Sequence, residues 1–406
     1  MVATFFLIII YLAFISLGLP DSLLGVAWPA MQPEIGAAFE SAGLLSMVVT
    51  GGTIVSSLVS GRVIERFGTG IVTLASCVLT ASALLGFSFA PSLFWLILLA
   101  IPLGLGAGAV DTGLNHYVAS HYKAHHMSWL HCFWGVGATL GPIIMSTSMG
   151  TNHAWRDGYY TVSILQFALV FILLITLPLW RIVASQHEPQ TTLEAQTGNQ
   201  LTNSGEALVP KNDKPLQIRG VKVTLLTFMF YCGVEATVGL WGASFLVGTR
   251  HLPPETAAVW VSMYYGGITL GRFFTGFVTL KFNNRTLIRA GQITAISGVV
   301  LLMLPLNPYL SLVGFIVIGL GLAPIFPCLL HETPARFGKD HSSRIMGYQM
   351  AVAYTGTTIL PPLFGIVAAQ ISIGLFPIVI LMFALIMMLS SEKVNRILYQ
   401  SGKREV

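Results

Sequence analysis

The amino-acid sequence predicts an all-α integral membrane protein with twelve transmembrane helices in two parallel six-helix repeats. Composition, the number of long apolar segments and an internal repeat support this fold class. Of the 406 residues, 54% are hydrophobic and only 9% are charged, whereas soluble domains carry about 25% charged residues. So few charges cannot cover a water-facing surface of this size, and most of the surface is therefore expected to face lipid.

Twelve apolar segments are long enough to cross a bilayer. A spanning helix needs about 20 largely apolar residues, because every backbone polar group in lipid must be satisfied within the helix. We number these segments as spans 1 to 12, at residues 4–27, 41–61, 69–90, 93–119, 127–149, 158–181, 221–247, 256–280, 286–305, 309–331, 343–369 and 373–390. A polar stretch follows span 6 and is predicted to be a flexible linker. The predicted units are an N-terminal bundle at 1–184, a cytoplasmic linker at 185–219 and a C-terminal bundle at 220–406.

The basic residues predict the orientation in the membrane, because Lys and Arg accumulate in cytoplasmic segments. With a cytoplasmic N-terminus, all but three of the 21 Lys and Arg residues fall on the cytoplasmic side. The exceptions are Arg156 and Arg250 outside and Arg272 within span 8. We therefore expect a multi-pass protein of the cell membrane with both termini cytoplasmic. The basic residues form no stripe interleaved with aromatics, so a nucleic-acid partner is not expected.

An internal repeat relates the two halves. Segments of the first half recur in the second at a nearly constant offset: Gly51-Gly52 as Gly266-Gly267, Gly61 as Gly276, Arg66-Phe67 as Lys281-Phe282, Gly104-Leu105-Gly106 as Gly319-Leu320-Gly321, and Asp21 as Glu235. Each half is therefore predicted to be a six-helix unit in the same orientation. Transporters built in this way place the solute site near the membrane midplane, between the repeats.

The segment Gly61-Arg-Val-Ile-Glu65-Arg66-Phe67-Gly68 resembles the loop 2–3 signature of the major facilitator superfamily, G-x-x-x-D-R-x-G. Glu65 stands where the signature has Asp. Gly61 is expected to permit close helix approach, and Glu65 and Arg66 are expected to pair across a gate, with Lys281 as the repeat counterpart of Arg66. The resemblance implies the major facilitator fold and a functional monomer in the lipid bilayer.

Several spans also resemble the fucose permease-like sugar:proton symporters. The similar segments are Leu19-Pro20-Asp21-Ser22-Leu23-Leu24, Ala109-Val110-Asp111-Thr112-Gly113-Leu114-Asn115, Val234-Glu235, Ser262-Met-Tyr264-Tyr265-Gly266-Gly267 and Pro324-x-Phe326-Pro327. The resemblance implies that Asp21 and Asp111 correspond to the family's proton-linked acids in spans 1 and 4.

Asp111 lies in the middle of span 4, where an ionised Asp costs about 2.5–3.5 kcal/mol on insertion scales. It is therefore expected to face a cavity, to have a partner or to be protonated, because desolvation favours the neutral form of a carboxyl group. Asn115 lies one turn later on the same helix face and is a candidate solute ligand. A structural hydrogen bond to a neighbouring helix is the alternative interpretation of Asp111.

Asp21 in span 1 and its repeat counterpart Glu235 in span 7 are further candidate proton-coupling groups. Pro20 is expected to break span 1 beside Asp21, as in the discontinuous helices of transporters. The alternative for Asp21 is an acid at the outer end of the span that water solvates. Arg272 is predicted to act in gating, by pairing with an acid or by extending to the membrane interface.

Span 5 carries His131 and Trp134, one turn apart. His131 is a candidate proton relay or hydrogen-bond partner for a solute hydroxyl, and Trp134 is a candidate stacking surface for a sugar. The alternatives are an interhelical hydrogen bond for His131 and packing for Trp134. The remaining predicted solute-lining residues are Trp241, Tyr265, Gln349 and Tyr354.

The sequence lacks the motifs of ATP hydrolysis, metalloproteases and serine hydrolases, so no enzyme activity, metal or cofactor is expected. The leading hypothesis is a secondary active transporter that couples proton influx to symport of a sugar or similar polyhydroxy solute by alternating access. The alternatives are a proton-coupled drug exporter and a sodium-coupled sugar symporter.

Overall fold

The computed structural model describes residues 2–122, 124–150, 154–198, 215–279, 281–305 and 307–402. All twelve predicted spans are helical, and the described residues contain no strand. The spans run Val2–Asp21 with Leu23–Ile35, Ser41–Phe67, Thr69–Phe89, Leu93–His121, Ala124–Gly150, Trp155–Gly198, Val221–Arg250, Pro254–Val278, Asn284–Met303, Tyr309–Leu322 with Ile325–His331, Lys339–Gln370, and Phe376–Gly402. Three short helices connect them, at Pro215–Gln217, Thr333–Phe337 and Ile373–Leu375.

Hydropathy alone identifies fewer membrane helices than the fold contains. Ten segments of the described chain are long and apolar enough to cross a membrane, and the two spans that fall short are spans 5 and 8. These two helices pack against each other between the bundles. Because part of their surface faces protein and a central cleft rather than lipid, they tolerate residues such as His131 and Arg272.

Span 6 extends beyond the predicted end of the N-terminal bundle. Its helix continues to Gly198, past residue 184, where we placed the end of the N-terminal bundle. The segment Leu193-Glu-Ala-Gln196 consists of good helix formers, so the loss of hydropathy near residue 181 marks the end of the membrane segment and not the end of the helix. Residues 199–214 of the predicted linker lie outside the described residues.

Span 1 is broken beside Pro20, as the sequence predicted. The first helix ends at Asp21 and the second begins at Leu23. Proline has no N–H to donate to the carbonyl four residues earlier, which here is the carbonyl of Ser16. Gln166 of span 6 supplies the missing donor, since its Nε2 lies 2.7 Å from that oxygen. The break is thus satisfied within the N-terminal bundle, and it leaves Asp21 at a helix end.

The packing within the bundles follows the internal repeat. Span 1 packs along span 5 as span 7 packs along span 11; span 2 pairs with span 4 as span 8 pairs with span 10; span 3 pairs with span 6 as span 9 pairs with span 12. The contacts between the bundles obey the same symmetry, because span 5 meets span 8 and span 11 meets span 2. The twelve helices therefore form two parallel six-helix repeats.

The two arginines on the sparsely charged side, Arg156 and Arg250, both bind helix ends. Arg156 donates from Nη1 to the carbonyl of Ala90 at 2.8 Å, at the end of span 3. Arg250 donates from Nη2 to the carbonyl of Leu302 at 2.7 Å, at the end of span 9. Spans 3 and 9 are repeat counterparts, and the last carbonyls of a helix have no partner within it. Both arginines are therefore explained by helix capping.

The bundles are closed against each other on one face of the molecule. We call this the Gly36 face, after the loop between spans 1 and 2, and the other the Gly68 face, after the loop between spans 2 and 3. On the Gly36 face the ring of Phe39 stacks on Trp241 at 4.9 Å, and Ser146 donates to the carbonyl of Glu255 at 2.8 Å. One buried apolar cluster runs through both bundles at this level.

The bundles are separate on the Gly68 face. Here the buried cluster of the N-terminal bundle, which includes Phe6 and Trp180, is distinct from that of the C-terminal bundle, which includes Phe337 and Val394. Side chains deep in the molecule, such as Asp21, are exposed. The structure is thus a two-bundle fold with a central cleft open to the Gly68 face.

Candidate functional site

Asp21 lies at the break of span 1, where the two bundles begin to separate. Its Oδ2 accepts a hydrogen bond from Nε1 of Trp134 at 2.8 Å. Two glycines bring spans 1 and 5 together at this level: a Cβ on Gly18 would collide with the carbonyl oxygen of Trp134, and a Cβ on Gly137 with that of Ile15. Close backbone approach therefore places the indole against the helix break.

We expect Gly18→Ala to lower the free energy of unfolding by about 1–3 kcal/mol, the usual cost of overpacking, because the new methyl group meets a backbone carbonyl that cannot move aside. Gly51→Ala is the matched control, since nothing lies within 4 Å of its Cβ position. Thermal unfolding of the two purified variants measures the difference. Equal stability of both variants would contradict the packing of spans 1 and 5.

Glu235 and Arg272 form an ion pair inside the C-terminal bundle. Nη2 of Arg272 lies 3.2 Å from Oε1 of Glu235, and the two side chains are only 16% and 18% exposed. Nη2 of Arg272 also lies 3.5 Å from the hydroxyl of Tyr231, and Tyr264 donates to the backbone carbonyl of Glu235 at 3.1 Å. From the sequence, an acid at the inner gate was one possible partner for Arg272. In the structure the partner is Glu235 of span 7, which lies deeper in the molecule than the inner gate.

Arg272 connects this ion pair to the N-terminal bundle. Its guanidinium carbon lies over the indole of Trp134, 5.5 Å from the ring centroid, while the N–H of the same indole is bonded to Asp21. Four side chains from spans 1, 5, 7 and 8 thus form a continuous row between the bundles, which we call the central row: Asp21, Trp134, Arg272 and Glu235. In this conformation the N–H of Trp134 is not available to a solute, since it is already bonded to Asp21.

Asp111 lies in span 4, half-exposed toward the cleft. Nδ2 of Asn115 donates to its Oδ1 at 2.9 Å, as expected for two polar residues one turn apart. Asp111 is near enough to Asp21 for the two carboxyl groups to interact electrostatically. Neither carboxyl group has an ion-pair partner within the described chain. Gly104 and Gly108 lie earlier on the same helix, and both pack against backbone oxygens of span 2.

Three further predicted residues lie around this level. His131 is exposed and its ring contacts Phe14 at 5.9 Å. Tyr354 is half-buried and lies within electrostatic range of Asp111 and Asp21. Tyr265 is 7% exposed and also lies within range of Asp21. The fold thus brings residues of spans 1, 4, 5, 7, 8 and 11 together at one level of the molecule.

The structure removes Gln349 and Trp241 from the predicted solute-lining set. Gln349 is fully buried, and its Nε2 donates to the hydroxyl of Thr333 at 2.9 Å. Trp241 is also fully buried and donates to the carbonyl of Pro361 at 2.8 Å in the closed contact with Phe39. Both residues lie on helices that reach the cleft, but they occupy other faces or levels of those helices.

The predicted gate residues Gly61, Glu65, Arg66 and Lys281 lie on the open Gly68 face. A Cβ on Gly61 would meet nothing within 4 Å, so the predicted close helix approach is absent from this conformation. Glu65 and Arg66 take part in none of the ion pairs of the described chain, and the Arg66 guanidinium lies over Phe67. The expected pairing across a gate is not formed in this conformation, in which the bundles are apart at the Gly68 face, and it stays a prediction for the state in which that face is closed.

Sequence reasoning missed Tyr231, which lies beside Arg272, and the hydrogen bond between Trp134 and Asp21. Tyr231 precedes Glu235 by one helical turn, so its position on the same face was a usable signal. A bond between spans 1 and 5 has no signal in a single sequence. Within the described residues no cluster of metal-ligating side chains occurs.

An apolar groove of about 620 Å³ lies between spans 2, 3 and 4. Its lining includes Val59, Val63, Phe67 and Leu79, with a few serine hydroxyls and no charged group. It therefore lacks the polar groups that a hydrophilic solute requires, and the central cleft is the candidate site.

The sequence matches the family described as Major Facilitator Superfamily over residues 10–220 and 223–397. The chain belongs to the major facilitator superfamily. Among curated members, it is 24% identical over 391 residues to "Bypass of stop codon protein 6" of Saccharomyces cerevisiae, covering 90% of this chain and 77% of that one. It is also 24% identical over 241 residues to "Glucose/mannose transporter GlcP" of Bacillus subtilis, covering 58% and 57% of the two chains.

Solved structures of the superfamily share this fold. The nucleoside transporter NupG (D323A mutant) superposes with a TM-score of 0.74 at 15% identity, covering 95% of this chain and 98% of that chain. A D-xylose-proton symporter superposes with a TM-score of 0.71 at 12% identity, covering 97% of both. The superfamily assignment confirms the prediction from the loop 2–3 signature.

Proposed function

We propose that this superfamily member is a proton-coupled symporter of a sugar or similar polyhydroxy solute. The observation that carries the proposal is the position of Asp21 and Asp111. Both carboxyl groups reach a water-exposed cleft between the bundles, and within the described residues neither has a cationic partner. Carboxyl groups placed at membrane depth mark proton pathways in transporters.

The partly exposed side chains of Trp134, Asn115 and Tyr354 surround the same cleft, and together they suit a solute with both C–H faces and hydroxyl groups. The name of the relative GlcP as a glucose/mannose transporter supports a sugar.

Proton and solute move together in the proposed cycle. The loaded carboxyl groups are neutral, which lowers the cost of enclosing them when the cleft closes, because burial favours the uncharged form. Rocking of the bundles about the central row then opens the cleft on the other side, where water removes the proton. Glu235 differs from the other two acids, since it is paired with the guanidinium of Arg272 at 3.2 Å. We therefore assign proton coupling to Asp21 and Asp111 and a structural charge to Glu235.

The orientation is part of the proposal. Most Lys and Arg residues lie toward the Gly68 face, which the positive-inside rule places in the cytoplasm. Both termini are then cytoplasmic, and the structure is the inward-open state.

The test is uptake of radiolabelled D-glucose, D-mannose and L-fucose by proteoliposomes under a proton gradient. One charge crossing 100 mV is worth about 2.3 kcal/mol, which supports almost fiftyfold accumulation at about 1.4 kcal/mol per factor of ten. We expect Asp111→Asn to lose this accumulation and to retain sugar exchange at equal concentrations, because the amide can bind solute but carries no proton. Glu40→Gln, an exposed acid in the loop between spans 1 and 2, is the control and should accumulate sugar normally.

Other outcomes redirect the proposal. Accumulation that follows a sodium gradient and ignores the proton gradient would assign the sodium-coupled alternative. Outward movement of apolar cations with no sugar uptake would assign the drug exporter. Normal proton-driven accumulation by Asp111→Asn would remove Asp111 from the coupling machinery.

A further inference from the structure

The apolar groove between spans 2, 3 and 4 has no part in the proposed transport cycle. Its volume of about 620 Å³ lies in the range of about 300–1,000 Å³ that is usual for ligand pockets in proteins. Ala109 of span 4 lines the groove, whereas Asp111 on the same helix is turned toward the central cleft. Because residues two apart on a helix do not share a face, the groove opens away from the cleft and toward the surrounding lipid.

Two arginines stand beside the Gly68 end of the groove. Arg62 follows the lining residue Val55 by seven positions, and Arg66 follows the lining residue Val59 by seven. Positions seven apart lie on one face of a helix, so both arginine side chains start from the edge of the groove. The Arg66 guanidinium also lies over the ring of Phe67, 5.4 Å from its centroid, and Phe67 lines the groove.

Both arginines are available to an anion. Neither takes part in an ion pair among the described residues, and both side chains are exposed. The adjacent acid, Glu65, lies on another face of the helix, because it follows Leu58 by seven positions, and Leu58 is 80% exposed and stands outside the lining. Since the predicted membrane segment of span 2 ends at residue 61, the two guanidinium groups lie near the level of the lipid phosphates.

We propose that the groove binds an acyl chain of an anionic phospholipid from the leaflet on the Gly68 face, with Arg62 and Arg66 holding the phosphate headgroup. Acyl chains are the hydrocarbon present at this depth, and an unfilled groove would lose the dispersion contacts of its lining. Guanidinium groups match phosphate oxygens in geometry, and Lys and Arg next to the cytoplasmic leaflet attract anionic lipids. The inference depends neither on the solute nor on the coupling ion.

The internal repeat shows that this combination belongs to the N-terminal bundle alone. In span 8, Phe274 and Phe277 stand at the positions of Val59 and Arg62. The ring of Phe273 contacts both, at 5.7 and 5.4 Å between centroids. The C-terminal repeat thus has aromatic rings where the N-terminal repeat has a small apolar residue and a cation, so the fold itself does not require the arrangement.

The experiment places the full-length protein in phosphatidylcholine vesicles that contain a trace of photoactivatable lipid, either phosphatidylglycerol or phosphatidylcholine, with a diazirine in the acyl chain. Illumination labels the side chains that touch this chain, and mass spectrometry locates the labels. We expect phosphatidylglycerol to label the groove segments of spans 2 and 3 more strongly than phosphatidylcholine does. Arg66→Gln should lower only the phosphatidylglycerol labelling, by about fivefold, the usual contribution of one basic residue. Lys281→Gln, the repeat counterpart, is the control and should change neither.

Two phenylalanine variants test the groove itself. Val59→Phe copies the C-terminal repeat and fills part of the groove, so it should lower labelling by both lipids. Leu58→Phe adds the same ring outside the lining and should be labelled as the parent is. Both positions are exposed, so neither change disturbs a buried core, and thermal unfolding checks this.

Three results would overturn the inference. The first is equal labelling of the groove by the two lipids in the parent, and the second is labelling that Val59→Phe leaves unchanged. The third is a dimer of the parent that Val59→Phe disperses, because the groove would then hold a second copy of the chain. None of these measurements uses sugar uptake, so a failure here is distinct from a failure of the proposed function.

Discussion

Replacing Arg272 with glutamine is expected to abolish solute accumulation and to lower the free energy of unfolding by about 3–5 kcal/mol, the usual result of removing one partner of a buried ion pair. Glu235 is then a mostly buried carboxylate without a cation, and Tyr231 loses its guanidinium neighbour. Transport fails because Arg272 joins the C-terminal bundle to the central row. Proteoliposome uptake and chemical unfolding measure the two effects.

Two variants test the reason for this loss. The double variant Arg272→Gln with Glu235→Gln removes both charges, so it should recover most of the stability, although not the accumulation. Arg289→Gln is the matched control for transport. It likewise leaves a mostly buried carboxylate, Glu392, without its arginine, since the two side chains are 56% and 17% exposed, but this pair lies outside the central row, so the variant should keep solute accumulation. A double variant as unstable as Arg272→Gln alone would show that the unpaired Glu235 is not the cause.

Much of the fold follows from the sequence because lipid limits the options for the backbone. Hydropathy and the repeat located every span, and Pro20 located the break in span 1 because proline removes a specific hydrogen bond. The limits of hydropathy appear in spans 5 and 8, where polar residues that face the cleft lower the average. The end of span 6 shows the converse, since a helix can continue after its apolar residues stop.

The charged residues of the candidate site could be identified from the sequence, whereas the contacts between its side chains were harder to predict. An ionisable residue inside a span is costly, so Asp21, Asp111, Glu235 and Arg272 could be found without a structure. Neutral residues give no such signal: Gln349 and Trp241 occupy suitable spans, yet their helix faces turn toward Thr333 and Pro361. Helix rotation and conformational state decide these contacts, and periodicity within one helix does not report either.

The conformational state also explains why the gate residues make no contacts. When the bundles move, the contacts between them on one face must break as those on the opposite face form. In this structure the contacts on the Gly36 face are formed and those on the Gly68 face are not. Gly25 packs against the backbone at Gly239, and Gly43 packs against Pro362. The pairing predicted for Glu65 and Arg66 therefore remains a prediction for the state in which the Gly68 face is closed.

A disulfide across the Gly36 face tests whether these contacts must open during transport. A Cβ built on Gly150 of span 5 lies 4.0 Å from the Cβ of Glu255 in span 8, within the range of about 3.5–4.5 Å that disulfides use. We expect the double variant Gly150→Cys with Glu255→Cys to cross-link on oxidation and to lose sugar uptake, because the bundles can no longer separate there. Reduction should restore uptake.

The cross-link experiment needs a background in which Cys132 and Cys232 are replaced, because both are free and partly exposed. Each single cysteine variant, oxidised in the same way, controls for modification without a cross-link and should transport as its background does. Because the disulfide joins only the ends of spans 5 and 8, it leaves the central row and the open Gly68 face untouched. Solute binding from that face should therefore survive oxidation while uptake stops. Full uptake by the cross-linked protein would mean that the bundles do not rock apart at this interface, and the alternating-access cycle described above would have to be abandoned.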